Sequence, residues 1–212
     1  MARLNIPPTK SRLMALQHNL KVASEGFELL NQKREILVME LMRMLARVRQ
    51  AETRLRKVEA KAFATLRQAI AHNGYHRMRS VAGAVHYDNQ IRTQNRVIAG
   101  VRIPEISIEY GQFKSQYGLT GTDSLVDQTM HDFLELLQAV GEMAQLETGV
   151  WLLARELKKT QRRVNALEQI FIPDFEETTT YIESVLEGKE QESFTIMKLV
   201  KKKIEQKRLQ LE

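Results

Sequence analysis

Two histidines, His72 and His76, stand four residues apart, the spacing at which one helical face offers two imidazoles to a metal ion. Asn73-Gly74 lies between them, and that dipeptide stops helices. The prediction is therefore two solvent-facing histidines where a helix ends, with no metal bound. His86 and His131 have no acid or thiol companion at a ligand spacing, and Glu135, Glu142 and Glu147 read as a solvated helix face rather than an acid and base pair. No Gly-rich loop ends in Gly-Lys-Ser/Thr, so ATP is not held by that route. No catalytic group, cofactor site or nucleophile is expected. What remains is charge. From Lys158 to Pro173 a basic patch flows into a helix whose Val164, Leu167 and Phe171 point inward. Arg162, Arg163 and Asn165 then face elsewhere, open to a partner, although ordinary solvated charge satisfies the same periodicity.

These residues are positioned by long helices. Steps of three and four from Leu13 pass through Leu16, Leu20, Ala23, Phe27, Leu30, Arg34, Leu37, Leu41, Met44, Val48, Ala51, Leu55, Val58, Ala62, Thr65 and Ala69. Only Arg34 and Thr65 break the apolar stripe. A 3.5-residue repeat held this long makes a narrow strip that a second helix must cover. Arg34 sets register, pairs with an acid across the seam or snorkels outward, and snorkelling is the simplest expectation. Pro7-Pro8 is a stiff entry with Thr9 as N-cap, and the helix is predicted to run to His72, a length of roughly 90 Å.

The expected divisions are a first helix over 1–72, a segment over 73–123 and a second helix over 124–212. Six of the ten glycines fall in the middle segment. Within it, Val101, Ile103, Ile106 and Ile108 predict a short strand or hairpin, with Pro104 restricting it to an edge or dividing it. The three-four rhythm returns at Leu146, Val150, Leu153, Leu157, Thr160, Val164, Leu167 and Phe171. Ile172-Pro173 then predicts a kink or break. Helical spacing continues through Tyr181, Ile182, Val185, Ile196, Leu199 and Ile204, and the stretch from Lys198 to Arg208 is strongly basic. Gly141 and Gly149 would let another element approach the second helix closely, or are equally tolerated weak points in it. The predicted fold is all-α dominated: a long antiparallel two-helix coiled coil with a small Gly-rich tip segment containing a short β-hairpin. A parallel homodimer using each seam separately is the structural competitor.

With 212 residues, 43% hydrophobic and only 6% aromatic, the composition suits long helices with a thin core. No apolar run is long enough to cross a bilayer, and the first residues lack a signal-peptide core, which predicts a cytoplasmic chain free to dock on a membrane complex. Without cysteine there are no disulfides and no thiolate metal sites. Between Thr9 and Ala71 thirteen Lys/Arg outnumber six Asp/Glu, so the first helix carries the net charge of +6. A basic helix suits nucleic acid, an acidic membrane surface or an acidic protein sleeve.

Arg162-Arg163-Val164-Asn165-Ala166-Leu167-Glu168, followed by Ile170-Phe171-Ile172-Pro173, closely resembles a signature of the D subunit of the V-type and archaeal-type (A-type) rotary ATPases. Pro8-Thr9-Lys10 at the first helix, the run from Gly26 to Glu35 that includes Lys33 and Arg34, and Asn95 through Pro104 are similar to that family as well. The likeness covers nearly the whole chain. Glu35, where many members carry Asp, and Gln191 are minor departures. The end soon after Arg208 resembles prokaryotic members. The resemblance implies a non-catalytic rotor shaft without a cofactor. It sits on the cytoplasmic side, peripheral to the membrane, and couples ATP hydrolysis or synthesis to ion translocation. The implied partners are the catalytic A and non-catalytic B subunits, the small F subunit and the socket (C/d-type) subunit above the membrane ring, with no nucleic acid. Arg162, Arg163, Asn165, Glu168, Lys10, Lys33 and Arg34 are the partner-contact candidates. The alternative is a basic coiled-coil adaptor for nucleic acid or membrane-associated partners, although basic residues are not interleaved with aromatics for base stacking.

Overall fold

The computed structural model describes residues 4–85, 90–109, 117, 118 and 123–209, with side chains to 204. His86, Tyr110, Gly111, Gly121 and the side chain of Arg208 lie outside the described residues. The elements in order are α1 (Lys10–Asn73), α2 (Tyr75–Ala84), β1 (Gln90–Ile98), β2 (Val101–Glu109), α3 (Ser124–Ala166), a π-helical turn (Leu167–Phe171) and α4 (Ile172–Leu209). The chain forms two compact units, one joining Met1–Arg34 to Lys159–Glu212 and the other spanning Glu35–Lys158.

α1 starts and stops where its capping residues dictate. The Thr9 hydroxyl accepts the otherwise orphaned Arg12 N–H at 3.4 Å, and the Thr9 carbonyl accepts the first helical bond from Leu13 at 3.0 Å. Gly74 ends the helix at φ +81°, a left-handed conformation that glycine adopts without strain. Every seam position from Leu13 to Ala69 is buried or half-buried. The seam residues therefore pack as the 3.5-residue repeat requires.

In the unit spanning Glu35–Lys158, α1 and α3 pack antiparallel. Leu37, Met44, Ala51, Leu146 and Leu153 share one core with Ile103 of β2. Arg54 reaches Glu142 at 3.3 Å and Lys61 reaches Asp132 at 2.8 Å, so rising numbers on α1 meet falling numbers on α3. In the other unit, Leu4 N–H donates to Thr178 Oγ1 at 3.2 Å and Gln17 Nε2 to Glu183 Oε1 at 2.9 Å. Leu16, Ala23, Thr160, Val164, Thr178 and Ile182 are buried there.

The hairpin is continuous, and its position has a structural cause. β1 and β2 pair antiparallel from Gln90↔Glu109 to Ile98↔Val101. The two linking residues both have positive φ (Ala99 50°, Gly100 80°), the turn whose twist suits a two-residue hairpin loop. Pro104 does not divide β2, because it sits where its missing N–H would point off the ribbon. β2 lies along α3. A Cβ built on Gly141 would come within 2.5 Å of Ile108 Cδ1, and one on Gly149 within 2.6 Å of Met44 Cε and 3.1 Å of Ile103 Cγ2. Between them, Gln145 Oε1 accepts the Ile106 N–H at 3.0 Å. Residues 141, 145 and 149 are one turn apart, so a single face of α3 seats the strand.

The interruption at Ile172-Pro173 takes the form of a widened turn, not a break. Ile172 N–H bonds to the Leu167 carbonyl five residues back. Proline cannot donate to, and its ring crowds, the carbonyl four residues before it, and a π turn relieves that crowding. The extra residue rotates the helix face by about 100°. Phe171, expected inward, is consequently 49% exposed and lies 6.4 Å from Phe175, while burial resumes at Thr178 and Ile182. Ile196, Leu199 and Ile204 keep helical spacing but are exposed, since no described element covers that part of α4.

The two glycines of the strand seat should respond differently to alanine. Alanine gains about 1 kcal/mol of helix propensity over glycine. At Gly141 only the end of Ile108 must swing aside, so Gly141→Ala should leave the melting temperature unchanged or slightly raised. At Gly149 the branched Ile103 Cγ2 cannot retreat, and Gly149→Ala should lose about 1 kcal/mol net through overpacking. Equal gains from both substitutions in thermal unfolding would contradict the close seating of β2.

Candidate functional site

The polar chemistry of the helix pair is concentrated at the second break in its seam. Thr65 of α1 donates to Asp132 Oδ2 at 3.0 Å, within reach also of the Ala62 carbonyl at 3.0 Å. Lys61, one turn earlier, holds Asp132 Oδ1 at 2.8 Å and Glu135 Oε2 at 3.6 Å. The Asp132 side chain is only 2% exposed, whereas that of Lys61 is 53% exposed. Burial pushes the Asp132 carboxyl up, but the hydrogen bonds from Lys61 and Thr65, with the lysine charge, leave it below the ordinary carboxylate range. Lys61 is raised, first by its hydrogen bond to Asp132 and then by that residue's charge.

His131, Asp132 and Glu135 bring one ligand atom each within 4.8 Å of one another. His131 thus has acid companions beside it and one helical turn on, against the expectation of none, and Glu135 belongs to this group rather than to a plain solvated face. The lysine ammonium already fills the cationic role there, since Asp132 spends one oxygen on Lys61 and the other on Thr65. The arrangement is a charged lock between α1 and α3. Thr65 was visible in sequence as a flaw in the stripe; Asp132 was not, because its acid lies in a helix rich in other acids.

His72 and His76 are separated as expected: His72 lies in the last turn of α1, His76 lies in α2 and Gly74 turns the chain between them. His72 Nδ1 lies 3.3 Å from Asp123 Oδ2, and His76 packs edge-on to Tyr75 at 6.0 Å.

The partner-contact candidates divide between surface and seam. Arg162, Arg163, Asn165 and Glu168 are all exposed around the end of α3 and the π turn, and Lys10 is exposed in the first turn of α1. Lys33 and Arg34 are half-buried. Among the described residues Arg34 meets no acid, and it is half-buried rather than in open water. Its Nη1 lies 3.5 Å from Gln161 Oε1, the long end of hydrogen bonding, and Gln161 Nε2 donates to Asn165 Oδ1 at 2.6 Å. Gln161, unremarkable in sequence, therefore links Arg34 to Asn165. None of these groups forms a nucleophile and base pair.

Long N-terminal and C-terminal helices, with a small antiparallel ribbon between them seated on α3, place the chain in the class of predominantly helical proteins built on a helix pair. Comparison with known proteins makes this specific. The family model for the D subunit of ATP synthase matches residues 12–202. A V-type ATP synthase D subunit of Treponema pallidum is 39% identical over 92% of this chain and 94% of its own length. The A-type ATP synthase D subunit of Methanopyrus kandleri is 35% identical over 98% and 90%. That of Methanosarcina mazei is 34% identical over 95% and 98%. The chain belongs to the ATP synthase D-subunit family.

The lock should be asymmetric to mutation. Asp132→Ala leaves Thr65 its helix carbonyls and Lys61 its water, whereas Lys61→Met strands a buried carboxylate. Thermal unfolding at pH 7 should therefore show the larger loss for Lys61→Met. The pH dependence follows from the signs. In the wild type a depressed Asp132 contributes stability above the unfolded value near ~3.9, lost as pH falls through its lower folded value. In Lys61→Met burial dominates and raises the folded value, so protonation relieves the penalty. The gap between the two proteins should close between pH 7 and pH 3; a constant gap would remove the buried charge as its cause.

Proposed function

We propose that this chain is the central rotor shaft of a V/A-type rotary ATPase. The observation that carries the reading is the match of the D-subunit family model over residues 12–202. In this reading the ends of α1 and α4 sit within the hexamer of catalytic A and non-catalytic B subunits. The segment over 73–123 meets the F subunit and the socket subunit above the membrane ring. The chain works on the cytoplasmic side without entering the bilayer; among the described residues no helix is long and apolar enough to cross one. The three expected divisions, 1–72, 73–123 and 124–212, then serve as shaft helix, partner-facing segment and returning shaft helix.

Such a shaft performs no bond chemistry. It couples by contacting three catalytic sites differently as it turns, so each orientation favours one conformation of each site. Exposed Arg162 and Arg163, beside the Arg34–Gln161–Asn165 chain, supply positive charge to an acid-lined bore. Charge spread over a helix face attracts without one locking contact, which permits rotation. The same coupling carries hydrolysis into ion translocation or ion flow into synthesis.

Co-expression with the A, B and F subunits of the same organism, followed by size-exclusion chromatography with mass determination, tests the reading. One copy of the chain should join each A–B hexamer, with F bound in turn. A hexamer that forms without the chain, together with salt-sensitive binding of the chain to DNA, would instead establish the basic adaptor. The double variant Arg162→Ala/Arg163→Ala should still assemble, with an ATPase rate or salt sensitivity changed from the wild type; an unchanged complex would remove these arginines from coupling.

A further inference from the structure

The two edges of the β-ribbon are treated differently. Thr93 pairs with Ile106, whose N–H points off the ribbon to Gln145 Oε1. In an antiparallel pair this direction alternates, so Ile91, Thr93, Asn95 and Val97 send their N–H and C=O groups away from β2. On the outer edge of β2 the corresponding groups are managed: Pro104 has no N–H, Ile106 is bonded, and the strand is seated on Gly141 and Gly149. Among the described residues β1 has no such protection. Residues 90–97 are all exposed, no proline, glycine or lysine interrupts them, and no described strand pairs with their outer edge. Ile91 is 66% and Val97 63% exposed. A nine-residue open edge with apolar side chains near both ends is a template for another strand.

We propose that the free edge of β1 accepts an extended acidic segment of a partner chain as a third strand. Backbone pairing to residues 91, 93, 95 and 97 gives the affinity, and charge gives the selection. Arg92 and Arg96 lie four residues apart on one face of β1. Arg92 bonds to Glu109 at 3.0 Å, whereas Arg96 makes no ion pair among the described residues. Two carboxylates with the same spacing on an incoming strand meet both arginines. A second copy of this chain is the poorer occupant. Full-length antiparallel self-pairing places Arg92 of each copy opposite Arg96 of the other, and like charges directly opposite repel. This inference is independent of the shaft reading, since it rests on the ribbon alone.

The test uses the full chain and a capped nine-residue peptide of alternating valine and threonine, with glutamate at its third and seventh positions. Fluorescence anisotropy should show saturable binding, and hydrogen exchange should slow at Ile91, Thr93, Asn95 and Val97. Replacing both glutamates by lysine should weaken binding at least about tenfold, as should Arg96→Glu, since opposite-charge cross-strand pairs become like-charge pairs. Thr93→Pro should abolish binding while preserving the circular dichroism and melting temperature, because its N–H, like the one Pro104 lacks, points off the ladder. Unchanged binding by Thr93→Pro, absence of protection at those amides, or equal affinity for the lysine peptide would overturn the proposal. So would a self-dimer, seen by mass determination, that Thr93→Pro dissolves.

Discussion

A seam between two helices is the thinnest core a protein can build, and its continuity governs the rest of this structure. Each seam side chain is covered from one direction by one partner, so area burial per residue is modest and a polar group has few neighbours to satisfy it. The chain meets this limit with threonine. The single Thr65 proton goes to Asp132, but Thr129 and Thr178, also buried, each donate to a carbonyl one turn back in their own helix. A hydroxyl bonded this way brings its own partner and asks nothing of the facing helix. Thr179 is the exception, a buried hydroxyl beside Thr178 with no partner among the described residues. Asp132 asks more, and Lys61 and Thr65 answer it from across the seam. Apolar contacts permit a helix to slide by a turn at small cost, whereas this carboxylate has partners in one register only.

The strand on α3 depends on the same geometry. An antiparallel helix pair leaves grooves along its flanks, and a ribbon can settle there only where the helix surface is low. Gly141 and Gly149 remove two side chains from one face, and Gln145 between them supplies an acceptor for an outward strand amide. Met44 and Ile103 fill the depression at Gly149, so β2 joins the seam core and is more than an appendage.

Much of this was legible because it is local. Seventeen seam positions from Leu13 to Ala69 follow from a period, Thr9 and Gly74 from capping and φ, and the hairpin from branched residues flanking a turn. The two helical glycines allowed a close approach or a mere weak point alike, and nothing in their spacing named the strand that approaches. Long-range chemistry was not legible. Asp132 and Gln161 acquire their roles only from residues far away in sequence, and a carboxylate or an amide on a helix usually faces water. The phase error at Phe171 has a different origin. Proline announces a disturbance, but whether the helix breaks, kinks or takes in an extra residue depends on backbone energies of similar size. The exposed apolar side chains of α4 beyond Gly188 illustrate a further limit, for periodicity reports an amphipathic face whether or not the chain itself covers it.

A rotor shaft of the kind proposed needs a surface that differs around its axis, because a uniform one would contact every site alike. In the unit spanning Glu35–Lys158 the ribbon supplies that difference. One flank of α3 is covered by β2 and carries arginines on β1, whereas Trp151 and Val140 of α3 are exposed. The buried lock at Asp132 and the seat at Gly141 and Gly149 hold these flanks in fixed phase relative to each other. If α1 slid past α3, the Met44 contact at Gly149 and the Lys61 contact at Asp132 would be lost together. Residues with no exposed role thereby set the angular position of those that have one. This is why the polar irregularities of the chain lie in its core, where they fix register, while the surface keeps spread charge and open apolar area for whatever it meets.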